Sequence, residues 1–203
     1  GDIVWGGDTL STLNAPQIAK QEVEAMSETI PNQSIKQAEN LTQYRKDIEA
    51  KYNIRPIKEF GTNYAEFYHD GKGAIDKLLA EKQGQVAGAF YKDGRDITIS
   101  WGEAKITNGD IKGYGLSKIE AKHLDDFAIF EGSTPQEKMA NGINEIIQKG
   151  VLESKNGVDT IIYKKDSGEF RVGLSKGWNN QGDNRWIITA YNNKKVSSES
   201  IDR

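Results

Sequence analysis

A chain of 203 residues with a formal charge of −3, 36% hydrophobic and 28% charged residues, fits one medium domain, with or without a helical extension, around a modest core. It has no cysteine, which excludes disulfide staples, thiolate nucleophiles and cysteine zinc sites, and its two histidines show no metal-ligand spacing. No metal or cofactor is expected, and no apolar run is long enough to span a bilayer.

The chain opens at Gly1, so the expectation is a fragment of a longer protein. The N-terminal third reads as polar helices. Ala19, Val23, Met26 and Ile30 recur at helical spacing up to Pro31-Asn32, and Ile35, Ala38, Leu41 and Ile48 form a second thin stripe before Pro56. Residues 1–56 are therefore expected to be a helical extension or linker, 57–195 a domain, and 196–203 a polar tail.

Within the domain, residues 74–82 read as a short amphipathic helix closed by Gly84. The period then changes to two. Val86 to Lys92 and Asp96 to Trp101 flank Asp93-Gly94, a dipeptide that favours a tight hairpin. Gly113-Tyr114-Gly115 reads as a loop leading into a helix from about Leu116 to Phe127, with Leu116, Ile119, His123 and Phe127 on one face. Thr134-Pro135-Gln136-Glu137 carries the signature of a capped helix start, and Met139, Ile143, Ile146 and Ile147 form that helix's buried stripe up to Gly150.

Three strands are expected next: Thr160 to Lys164, Glu169 to Ser175 across an Asp166-Ser167-Gly168 turn, and Arg185 to Tyr191. The order implies an α+β fold with helices packed on a mainly antiparallel sheet of four or slightly more strands. Strict alternation puts Arg171, Gly173 and Ser175 opposite the apolar Phe170, Val172 and Leu174. It puts Ile187, Thr189 and Tyr191 opposite Trp186, Ile188 and Ala190. Arg171, Thr189 and Tyr191 can then share an open face.

Those side chains suit phosphate chemistry. A histidine moves protons near neutrality, an arginine fork neutralises phosphate oxygens, and hydroxyls donate to the same oxygens. Each also has a plainer reading. His123 fits a helix boundary, Arg171 a solvated strand position, Thr189 and Tyr191 good strand formers, and Trp101 and Trp186 core anchors. His69 reads as solvent-facing in a turn. From Val151 onward Lys and Arg outnumber Asp and Glu, while the rest of the chain is acidic.

The series from Gln83 to Phe90, Asp96 to Gly102, Gly113-Tyr114-Gly115-Leu116 through Lys122-His123, the Arg171 strand and Trp186 to Tyr191 resembles the phage-associated barnase–EndoU–colicin E5/D–RelE-like nucleases over about residues 57–195. Such domains occur in phage, plasmid and integrated-element proteins and in polymorphic toxins. The resemblance implies helices on a four-stranded antiparallel sheet and metal-independent RNA cleavage. By motif it assigns the family's histidine to His123, its basic strand residue to Arg171 and its terminal-strand hydroxyls to Thr189 and Tyr191.

The expected function is thus a toxin-type endoribonuclease that cleaves by 2′-hydroxyl attack, with Lys118, Lys122, Trp101 and Ser175 as substrate contacts. Its expected partners are an RNA, tRNA among the candidates, and a cognate immunity or antitoxin protein. Its expected place of action is a cytoplasm, its own cell's or that of a target. The alternative is a catalytically silent module that binds nucleic acid or a protein partner. An enzyme acting on cell-wall glycan ranks last, because no spaced pair of carboxylates stands in the strands.

Overall fold

The computed structural model of the chain describes residues 31–194. The helix expected over Ala19–Ile30 and the tail expected from residue 196 lie outside them.

Two compact units are present, the first described over residues 31–54 and Ala65–Phe67. Its helix α1 spans Pro31–Lys51. It opens at Pro31, where a proline's missing N–H costs nothing. Ile35 of the expected stripe is exposed, and Leu41 and Ile48 are half-buried. A polar tie holds this unit together: Arg45 Nε and Nη2 donate to the two carboxylate oxygens of Glu66 at 2.8 and 2.9 Å.

The second unit, described over Arg55–Tyr64 and residues 68–194, carries the sheet. Helix α2, Gly71–Glu81, begins earlier than expected because the Asp70 carboxylate accepts from the Gly73 amide at 3.1 Å, and it ends with Lys82 in the left-handed region. Strands β1 (Gln85–Lys92) and β2 (Arg95–Ser100) form the expected hairpin. Asp93 and Gly94 both take positive φ, 52° and 83°, as the tight turn requires.

The sequence reading did not anticipate the next hairpin. Strands β3 (Glu103–Thr107) and β4 (Asp110–Tyr114) pair around Asn108-Gly109. Every β3 residue is exposed, so no buried face leaves an alternating pattern to read, although Asn-Gly is itself a hairpin signal. Helix α3, Gly115–His123, passes into a 3₁₀ turn over Leu124–Phe127. Helix α4, Pro135–Lys149, starts as expected: Thr134 Oγ1 accepts from the Glu137 amide at 3.1 Å, a cap worth about 1 kcal/mol. The Glu137 carboxylate reaches the Ser133 amide, one residue before the cap.

Strands β5 (Val151–Lys155), β6 (Val158–Lys165), β7 (Gly168–Trp178) and β8 (Gln181–Asn192) complete the unit. The exposed β5 was also unanticipated, and it turns into β6 at Asn156-Gly157. The main sheet has six strands in the order β1-β2-β8-β7-β6-β5, antiparallel throughout except for β2 beside β8. Among the described residues the fold is therefore α+β: four helices, a six-stranded mixed sheet that is mainly antiparallel, and a two-stranded sheet.

Ile75 and Leu78 of α2, Leu116 and Ile119 of α3, and Met139, Ile143, Ile146 and Ile147 of α4 are fully buried. So are Ile97, Ile99, Val172, Ile187 and Ala190 of the sheet, each large aliphatic side chain contributing about 1.5–3 kcal/mol.

Candidate active site on strands β7 and β8

The registry of β7 and β8 decides which side chains meet. Arg171 lies opposite Tyr191, Val172 opposite Ala190 and Gly173 opposite Thr189; Leu174 then lies opposite Ile187, and Ser175 opposite Trp186. Ile188 is the extra residue of a bulge. Alternation resumes out of step beyond it, which overturns half of the face assignment made from sequence. Ile187 joins Ala190 in the core, whereas Trp186 moves to the face of Thr189 and Tyr191. There Trp186 packs with Ile57 and Phe60, bordered by Tyr114, Trp178 and Ile188. Arg171, Thr189 and Tyr191 do share one face, as expected, and all three are half-buried.

Helix α3 brings two further groups to that face. The His123 ring lies 5.5 Å from the Tyr191 ring, centroid to centroid, and Lys118 Nζ donates to Thr189 Oγ1 at 3.2 Å. Burial pushes the Lys118 ammonium pKa below its ordinary value. His123 Nδ1 is buried without a hydrogen bond and faces Asp126 Oδ2 at 3.5 Å. Asp126 itself, 8% exposed, accepts from the Asn192 amide at 2.9 Å, which fastens the end of α3 to the end of β8.

Arg171 is already engaged. Its Nε and Nη2 both donate to Glu169 Oε2, at 3.0 and 2.6 Å. The pair holds the Glu169 carboxyl below its ordinary range and raises the guanidinium, to which Tyr191 also bonds. Sequence reasoning missed both Asp126 and Glu169. The available signals were the i+3 spacing from His123 and the i−2 spacing from Arg171, each too common to single a residue out.

Of the other expected contacts, Ser175 alone shares this face. Lys122, one turn from Lys118, points to Asp110 of β4 at 3.0 Å; together with Lys112 it holds that carboxyl at a pKa of about 2. Ser175 shares the open face but sits beside Trp186. Trp101 lines a separate cleft of about 250 Å³ with Phe60, Lys82 and Tyr114, and Lys82 Nζ stands 5.5 Å from its ring centroid. His69 is exposed, as expected, and pairs with Asp96 at 2.7 Å. No group of three or more His, Cys, Asp or Glu among the described residues is arranged to hold a metal.

The architecture is that of an α+β protein presenting histidine, arginine, lysine and hydroxyl groups on one patch of an antiparallel sheet. The chain belongs to the phage-Barnase-EndoU-ColicinE5/D-RelE like nuclease family, whose model matches residues 89–197. Membership implies a nucleic-acid substrate. No curated protein and no solved structure matches the chain. Among the described residues, no helix is long and apolar enough to cross a membrane.

Proposed function

We propose that residues 57–195 form a metal-independent endoribonuclease of the toxin type, with residues 1–56 as its extension or linker. The observation that carries this reading is the convergence of His123 and Lys118 from α3 on Tyr191, Thr189 and Arg171 of the sheet.

Attack of a ribose 2′-oxygen on its own phosphate transfers one proton off the nucleophile and one onto the departing 5′-oxygen, leaving a cyclic phosphate and a free 5′-hydroxyl. His123 moves one of these protons through Nε2, since Nδ1 is turned to Asp126. Arg171 and Lys118 neutralise the charge that grows on the phosphorane, and the Thr189 and Tyr191 hydroxyls position its oxygens. The half-buried setting strengthens these charge interactions relative to water. A domain with this activity requires a cognate inhibitor in its own cytoplasm or delivery into another cell.

The test is cleavage of cellular RNA in excess EDTA by the wild type and by His123→Ala. Discrete fragments that end in cyclic phosphate and vanish in the variant support the reading. Intact RNA from a folded wild type sinks it.

A second reading has its own observation. Glu169 occupies two donors of Arg171, as in a structural ion pair, which favours a silent nucleic-acid-binding or partner-binding module. Under it, His123→Ala changes nothing.

A further inference from the structure

Away from β7 and β8, the loop before α2 carries a second aromatic cluster. His69 takes φ of +59°, a left-handed conformation uncommon outside glycine, and its amide donates to the Gly88 carbonyl at 2.9 Å. Neighbouring side chains in extended backbone diverge; this conformation instead lays the imidazole over the ring of Tyr68, at 3.9 Å between centroids and 17° between planes.

Asp96 of β2 locks the stack. Its Oδ2 accepts from the Tyr68 hydroxyl at 2.8 Å, and its Oδ1 meets His69 Nε2 at 2.7 Å. Since a carboxylate only accepts, Nε2 carries the proton. Gly88 makes room, because a Cβ there would stand 2.4 Å from the Tyr68 ring. Tyr91, paired with Asp96 across the hairpin, stands 5.4 Å from the His69 ring at 53° and is 52% exposed. The next pair in register, Lys92 and Arg95, lies on the opposite face, where Lys92 Nζ donates to the Gly150 carbonyl at 2.7 Å.

A clamped stack beside an open aromatic side chain has the makeup of a single-strand platform, because every base offers a π-face. We propose that Tyr68, His69 and Tyr91 form an accessory subsite that stacks a base of the single-stranded nucleic acid on which the domain acts. The proposal rests on the nuclease reading for its ligand class, although not on His123 chemistry. Counted along β2 and β8 at strand rise, the platform lies roughly 20 Å from Tyr191, so it holds a distant part of the same strand.

The test is equilibrium binding of an unstructured ten-nucleotide RNA to the full chain carrying His123→Ala, which prevents turnover. Tyr91→Ala and His69→Ala are expected to weaken binding roughly tenfold each, Tyr91→Phe to restore it, and an abasic oligomer to show no response to any of the three. Because His69→Ala also removes a clasp, thermal melting accompanies it, and the exposed Tyr91 supplies the variant that leaves folding intact. Tyr91→Ala binding as the parent does overturns the platform. If affinity then falls only with Arg171→Ala, the proposed function stands without the platform. If the parent binds no single strand, the platform falls with it, and the proposed function is judged by cleavage alone.

Discussion

Asp126 Oδ2 stands 3.5 Å from His123 Nδ1 while it accepts the amide of Asn192, the residue after Tyr191. One carboxylate thus lies against the histidine ring and ties the end of α3 to the strand that carries the hydroxyls. Under the proposed function, that approach leaves Nε2 as the ring nitrogen turned to substrate.

His123→Ala is therefore expected to lower RNA cleavage by about 10²–10⁴-fold. Asp126→Asn, which keeps an acceptor for the Asn192 amide, is expected to lower kcat by about tenfold with KM nearly unchanged, and to shift the pH profile. Stopped single-turnover assays across pH measure both; a KM effect alone argues against an orienting role.

The two lysines of α3 should separate. Lys118 reaches Thr189 on the candidate site, whereas Lys122 is held by Asp110. Lys118→Gln is expected to cost about 10²-fold in cleavage and Lys122→Gln less than about threefold, because only the first removes a cation next to the developing charge. Equal losses in a side-by-side assay would falsify the placement.

The Glu169–Arg171 pair makes stability pH-dependent. The carboxyl pKa of Glu169 is depressed in the folded chain below its ordinary 4.5. Its contribution is fully present above that ordinary value and is lost as pH falls through the lower, folded one. Glu169→Gln should therefore lower Tm at pH 7 and flatten the loss of Tm below pH 4.5. Calorimetry over that window checks the slope.

Gly113 tests the β3–β4 hairpin. It holds φ of +139°, and an added Cβ would fall 2.0 Å from the Glu103 carbonyl oxygen. Gly113→Ala is expected to destabilise the fold by about 1–3 kcal/mol, the scale of a strained backbone position. Gly109→Ala meets no atom within 4 Å but keeps a positive φ, so its cost should be nearer 1 kcal/mol. Denaturant melts of the two variants compare them directly.

Much of the architecture was legible locally. Asp93-Gly94, Thr134-Pro135 and the Met139–Ile147 stripe declare themselves through turn chemistry, capping and period, which need only near neighbours. The strands β3 and β5 were not legible, because exposed strands held by backbone pairing carry no amphipathic signal.

On β7 and β8, alternation alone was enough to unite Arg171, Thr189 and Tyr191. It misplaced Trp186 and Ile187, because a bulge at Ile188 belongs to the pairing of two strands and to neither sequence by itself. The sequence by itself determined the element types and the family-like series of residues. Only the tertiary structure decided that Lys118 reaches Thr189 while Lys122 does not, that Asp126 backs His123, and that Asp96 joins Tyr68 to His69. Those contacts depend on where a helix end docks and how two hairpins register, quantities set by packing across the whole sheet.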